Sequence, residues 1–471
     1  MRRMFPRPLA VVGLLVAFIA FVTSAAPSWA VEPDRPPNVV LIYCDDLGYA
    51  DVGCFGSKPH RTPHIDRLAA EGLRLTSFYV TSGVCTPSRS SLMTGCYPRR
   101  VNMHQNARGD WVLFPIDSRG LNPDEVTIAE VLKTRGYATA CIGKWHLGDQ
   151  PEFLPTRQGF DSWFGIPYSN DMGTKQRRPQ PNPPVPLMDG ERVIEAPAEQ
   201  STLTRRYTER AVEFITANRD TPFFLYLPHT FPHWPLHASE AFRGKSANGT
   251  YGDSVEEIDA STGAILDALD ELGLADDTIV IFTSDNGAAK PHGGSNAPLR
   301  GFKGGTWEGG MRVPFVLRWP SRVPAGTESD EIVSTLDILP TFASLAGAVL
   351  PEETIDGVDV GRMLTDPERA SPRRTFYYYF KDQLQAVRLG RWKMHLPRGE
   401  GDKRITRQLY DLDSDVSETH NIADAYPDVV AALQTVVDEA REQLGDRGSI
   451  GAGQRPPGEV SSPTPRELEP R

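Results

Sequence analysis

The stretch Asn38-Val39-Val40-Leu41-Ile42-Tyr43-Cys44-Asp45-Asp46 is an apolar, largely β-branched run that stops on two carboxylates. Apolar character without polar alternation fits a strand covered on both faces. The spacing predicts a strand over Asn38–Tyr43, with Asp45 and Asp46 just beyond its carboxyl end. Three more runs repeat the pattern. Ala138–Ile142 leads into Lys144-Trp145-His146, Phe223–Leu227 into His229 and His233, and Thr278–Phe282 into Asp285-Asn286. Helical patterns lie between them. Thr127-Ile128-Ala129-Glu130 and Ser254-Val255-Glu256-Glu257 both fit the capping box, with Gly136 and Gly273 as stops. This alternation predicts an α/β fold, a mixed and largely parallel sheet sandwiched by helices. Ligands of such sheets bind beyond the carboxyl ends of the strands, and four segments deliver acids, an amide, imidazoles and an amine to that edge.

The flanks set compartment and domain plan. Arg2, Arg3 and Arg7 precede an apolar stretch from Leu9 to Val22, followed by Ser28-Trp29-Ala30. Residues 1–30 therefore read as a secretory signal peptide cut after Ala30, giving a periplasmic or extracellular protein. The apolar run is short for a bilayer span, and no later one is longer, so stable membrane insertion is not expected after cleavage. Losing three Arg and no acid takes the formal charge from −11 to −14. Such a chain does not attract nucleic acid in bulk, and an anionic substrate needs a local cationic pocket.

Residues 31–372 read as the main domain. From Arg373, short strands at Thr375–Phe380, Ala386–Leu389, Trp392–Leu396 and Gln408–Tyr410 precede a helix at Pro427–Leu444. Residues 373–446 thus read as a small antiparallel sheet plus one helix. The tail at 447–471, rich in Gly, Pro and Ser, is expected to be disordered, and the Pro-rich Arg177–Pro186 to be a surface loop.

Asp45, Asp46, Asp285 and Asn286 offer oxygen ligands only, a set suited to Ca²⁺, or less well Mg²⁺, rather than zinc. Either pair alone also fits an ordinary turn. Two pairs, each ending an apolar strand, point to a shared cation. Lys144 and His146, two apart, face the same way in extended chain. His233 is stiffened by Pro232 and Pro235, and His229 fits a structural or a catalytic role equally. Lys303 sits in the glycine-rich Gly301–Gly310, where the backbone can approach a ligand closely, although the P-loop order is absent.

Cys85-Thr86-Pro87-Ser88-Arg89 adds the most specific signal. Pro87 suits the first position of a helix ended by Gly95, which places residue 85 just ahead of an anion-favouring N-terminus. Arg89 lies within reach of the residue 85 side chain or its ligand.

This pentapeptide resembles the C-x-P-S-R signature of the type I, formylglycine-dependent sulfatases. Asp45-Asp46, Gly143-Lys144-Trp145-His146, Pro232-His233-Trp234-Pro235, Ser284-Asp285-Asn286-Gly287 and Lys303 with Glu308-Gly309-Gly310 follow in that family's order. The resemblance implies the alkaline-phosphatase-like fold and hydrolysis of an aryl or carbohydrate sulfate ester. It implies a maturing enzyme that converts Cys85 to formylglycine, and Ca²⁺ held by residue 85, Asp45, Asp46, Asp285 and Asn286. Asp285 is then a base for the attacking hydroxyl. Lys144 and Lys303 hold sulfate oxygens, Lys303 or His233 protonates the leaving alcohol, and His146 helps release sulfate.

Two rivals share the pattern: a phosphatase or phosphonate monoester hydrolase on the same scaffold, and a non-catalytic carbohydrate-binding homologue. Specificity is expected from Asn102–Trp111, Tyr168–Asp171, His237 and residues near Lys381–Gln385. With Cys85 consumed, Cys44, Cys54, Cys96 and Cys141 can pair or stay buried.

Overall fold

The computed structural model describes residues 35–173, 182–399 and 404–468. The expected signal peptide and the first half of the Pro-rich stretch, 177–181, lie outside them. Five parallel strands form the centre of a ten-stranded sheet, in the spatial order Thr278–Ser284, Asn38–Cys44, Phe223–Pro228, Ala138–Ile142 and Ser162–Gly165. Antiparallel neighbours flank them: Phe315–Arg318 on one side, Leu187–Asp189 and Arg192–Glu195 on the other. All four expected strands form, and three of them extend one or two residues further.

Strand side chains alternate, so the first strand feeds two cores. Val39, Leu41 and Tyr43 join a cluster with Leu92, Leu132 and Phe342, from helices Cys85–Thr94, Ile128–Lys133 and Ile338–Ala346. Val40, Ile42 and Cys44 join the opposite cluster with Leu68, Ile215 and Leu266, from helices Pro63–Ala70, Leu203–Ala217 and Gly249–Glu271. The sheet is thus sandwiched by helices. The small antiparallel sheet, Thr375–Phe380, Gln383–Leu389, Trp392–His395 and Gln408–Asp411, sends Phe376, Tyr378 and Ala386 into the first of these cores. From Pro36 onward the described residues belong to one compact unit.

The capping box at Thr127 forms, with Thr127 Oγ1 accepting from Glu130 N. The one at Ser254 does not. Its helix begins at Gly249, and Ser254 Oγ donates to Tyr251 O instead, because buried Tyr251 extends the apolar face backwards. The tail also corrects the expectation of disorder. Gly458–Glu459 pairs with Arg119–Gly120, Arg455 pairs with Glu125 at 2.7 Å, and Arg455 N donates to Arg100 O. A segment too poor in apolar residues to build its own core has found backbone and charge partners on the main one. No helix among the described residues is long and apolar enough to cross a membrane.

Candidate active site

The parallel register puts the ends of four strands side by side. Cys44 pairs with Ser284, and Tyr43 with Pro228, so Asp45, Asp285 and His229 leave the sheet at one level. The chain then turns sharply. Asp46 and His146 both adopt left-handed backbone, φ 65° and 63°, a conformation costing non-glycine residues of order 1–3 kcal/mol. Gly143 clears the way for Lys144, since a Cβ there would lie 1.9 Å from Pro228 O.

The helix carrying Cys85 runs from Cys85 to Thr94 and is buried along its whole length. Cys85 is its first residue rather than the one before it, and Pro87 is the third, where a missing N–H still costs nothing. Ser90 Oγ and Thr94 Oγ1 bond within the helix, on Pro87 O and Ser90 O, while Thr86 Oγ1 donates to His146 O at 3.0 Å, and Ser88 and Ser91 meet the hydroxyls of Tyr43 and Thr81. This fixes the helix under the sheet edge.

Cys85 Sγ lies 3.4 Å from Asp45 Oδ1 and 3.8 Å from Lys303 Nζ. Lys144 Nζ bonds Asp45 Oδ2 and reaches Ser169 Oγ at 3.3 Å. Lys303 Nζ pairs with Asp46 at 2.7 Å, and Asn286 Nδ2 donates to Asp46 Oδ1 at 2.7 Å. Asp285 Oδ1 accepts from Asp46 N at 3.1 Å. Ligand atoms of Asp45, Asp46, Cys85 and His233 all lie within 4.8 Å of one another. Asn286 Oδ1 is buried with no hydrogen-bond partner. Two carboxylates gathered beside the residue 85 side chain, with an unsatisfied amide oxygen on Asn286, which bonds one of them through its Nδ2, fit a divalent cation.

Electrostatics divide the acids. Burial alone would raise Asp45, but Lys144, His233 and Arg89 hold it well below the usual carboxylate range. Asp285 goes the other way: burial and the Asp45 charge push it up to about 7. Burial, then Asp45, push the Cys85 thiol far up, so as encoded it is a neutral thiol and a poor nucleophile. Burial and Lys303 lower His233, whose Nδ1 lies 3.0 Å from Asn170 Oδ1. His146 Nε2 lies 3.0 Å from Leu113 O. A carbonyl only accepts, so Nε2 carries the proton and Nδ1, without a partner, keeps its lone pair.

Cys85, His146, His233, Lys303 and Trp111 line a cleft of about 180 Å³. Lys144 and the four expected metal ligands, Asp45, Asp46, Asp285 and Asn286, are buried beneath this cleft rather than lining it, and Arg89 and His229 lie elsewhere. Arg89 is fully buried behind the acids, donating to Asp285 Oδ2 at 2.8 and 3.1 Å and to Lys144 O at 3.0 Å. It orients a carboxylate and touches no open space. His229 faces Ser261 Oγ at 3.4 Å inside the core and is structural. Of the expected specificity segments, Ser169, Asp171 and Trp111 line the cleft. Lys381 instead ties down the Trp111 loop by donating to Gly109 O at 2.7 Å, and His237 packs on Phe231. Sequence reasoning missed Asn170 as the partner of His233, because only the fold brings position 170 to 233. None of the five cysteines is disulfide-bonded.

Comparison with known proteins gives the class first. The chain is 31% identical to Ps i-CgsB, solved in complex with a neocarrahexaose, over 88% of this chain and 95% of that one, with a TM-score of 0.75. Sulfatases of alkaline-phosphatase-like fold are thus its structural neighbours, and the protein is an ester hydrolase of that architecture. A sulfatase family model matches residues 37–348, and a model for the C-terminal region of N-sulphoglucosamine sulphohydrolase matches 303–443. Human arylsulfatase A is 40% identical over 446 residues, covering 85% of this chain and 87% of its own. Dog N-acetylgalactosamine-6-sulfatase is 40% identical over 401 residues, covering 80% and 75%. The chain belongs to the sulfatase family.

Proposed function

We propose that this protein is an exported sulfatase that frees inorganic sulfate from an aryl or carbohydrate sulfate ester, using formylglycine made from Cys85 and a bound Ca²⁺. The observation that carries this reading is the Cys85 side chain set between the Asp45 carboxylate and the Lys303 ammonium on the floor of the cleft. Asp45, Asp46, Asp285 and Asn286, with residue 85, would hold the cation, which would supply Lewis-acid polarisation of a sulfate oxygen. Formylglycine would supply a hydrated aldehyde as the nucleophile, which a neutral buried thiol cannot match.

The remaining work falls to side chains in and beneath the cleft. Asp285, held by Arg89, serves as base for the attacking hydroxyl. Lys144 and Lys303 neutralise the sulfate oxygens, and both are cations already drawn to this edge by Asp45 and Asp46. Lys303 and His233 stand on the open side, where the leaving alcohol takes up a proton. His146 Nδ1, with its free lone pair, accepts the proton lost as residue 85 returns to its resting form. Arg89 acts through Asp285 and is a positioning residue.

Turnover of aryl sulfate, aryl phosphate and phosphonate monoester, measured side by side, tests the reaction class. Sulfate ester is expected to lead by about 100-fold in kcat/KM. Faster phosphate or phosphonate turnover transfers the protein to those chemistries, and no turnover at all favours the carbohydrate-binding homologue. The metal has its own readout. Adding Ca²⁺ to chelator-treated protein is expected to raise the unfolding temperature, by about 2.7 kcal/mol of stability at 100 times Kd. Asn286→Ala is expected to blunt that rise, and an equal response in the variant removes Asn286 from the ligand set. Export after cleavage at Ala30 is checked by sequencing the mature N-terminus.

A further inference from the structure

A second cleft, of about 630 Å³, opens beside the first and is walled by Val185, Pro197, Trp234 and Pro235, with Asp171 and Gln200 as polar groups. Asp171 lines both clefts. Asn170, which also lines the second, is the residue that bonds His233 in the first. The two clefts therefore adjoin at Asp171, one residue from the partner of His233. Trp234, the residue after His233, is 51% exposed, the most open of the large aromatic side chains among the described residues. Its ring is backed by His292, with centroids 6.0 Å apart and planes 17° from parallel. An oriented indole this exposed beside a reactive centre invites a ligand face.

The lining says which ligand. A pyranose presents an apolar C–H face to stack on indole and hydroxyls that reach amide and carboxylate groups at the rim. A steroid skeleton asks for unbroken apolar walls, which Asp171 and Gln200 interrupt. Among the described residues the lining holds no Lys, Arg or His to receive a second sulfate.

We propose that this cleft seats the neutral sugar next to the sulfated one, with Trp234 as its stacking platform, so that the protein favours sulfated oligosaccharides over single sulfated rings. This rests on the sulfatase reading of the adjoining cleft. The test compares kcat/KM on monosulfated disaccharides (galactose-4-sulfate, galactose-6-sulfate and N-acetylgalactosamine-6-sulfate, each joined to a neutral sugar) with kcat/KM on 4-nitrophenyl sulfate. Both are measured on the same samples of wild type, Trp234→Ala and Trp234→Phe. For the best disaccharide, the ratio is expected to fall about tenfold in Trp234→Ala, through KM, and to recover largely in Trp234→Phe. An unchanged ratio overturns the proposal, and so does a loss seen on oestrone sulfate but not on any disaccharide. If wild type releases sulfate from nothing, the sulfatase reading fails separately. Calorimetric titration with the same disaccharides then decides this one, and binding undiminished in Trp234→Ala overturns it.

Discussion

Cys85→Ala is expected to abolish sulfate release and leave the fold intact. Removing the group that forms the bond to substrate costs up to about 10⁶ in kcat in enzymes that depend on a covalent nucleophile. The fold has little stake in the sulfur. Cys85 Sγ makes only long contacts, 3.4 Å to Asp45 and 3.8 Å to Lys303, and its helix is held by hydroxyl and backbone bonds elsewhere. The unfolding temperature of the variant is therefore expected to match that of the parent. The parent has a signature of its own: its Cys85 peptide should be lighter by about 18 Da than the thiol form, the mass change of thiol to aldehyde. At 2% exposure, Cys85 is out of reach of a maturing enzyme once folded, so conversion is expected only in the unfolded or nascent chain. Free thiol in active native protein, or full activity in Cys85→Ala, would falsify the formylglycine reading.

The strand edge was legible in the sequence because its logic is local. Asp45, Lys144 and Asp285 each follow an apolar strand within two residues, and parallel pairing does the rest. His233 needed only a short Pro-stiffened loop beyond its strand. Arg89 lies one turn along the same helix, which suggests a hold on the residue 85 side chain or its ligand. Its real partner, Asp285, stands 196 residues away, and nothing near Arg89 announces it. Ser254 was misread for a related reason: the capping pattern is local, but Tyr251 and its burial decide where the helix starts. The tail failed on composition. Gly and Pro exclude a self-made core, yet they do not exclude pairing with Arg119–Gly120.

The same limit hid a buried charge cluster that Glu308→Ala is expected to expose. Glu308, read from sequence only as part of a glycine-rich motif, is fully buried and receives Lys393 at 2.9 Å, Tyr378 at 3.1 Å, Tyr79 at 2.6 Å and Arg312 at 3.4 Å. Burial alone would raise its carboxyl, but Lys393, Arg312 and Arg388 bring it down to about 2. Breaking a buried pair by removing one partner typically costs 3–5 kcal/mol, roughly the loss expected in a urea unfolding free energy. Glu418, 2.9 Å from Lys393, offsets one of the stranded cations but not both arginines. A folded-state value below the ordinary one stabilises above the unfolded pKa, near 4.5, and that stability is lost as pH falls towards about 2. The variant should therefore differ most from the parent at neutral pH and least in acid. Glu308 also opens the turn after Gly301–Gly305, which carries Lys303, so loosening it is expected to lower kcat along with stability. A variant within about 1 kcal/mol of the parent at pH 7 would show that the cluster only neutralises itself, and that the C-terminal sheet is held by its apolar face alone.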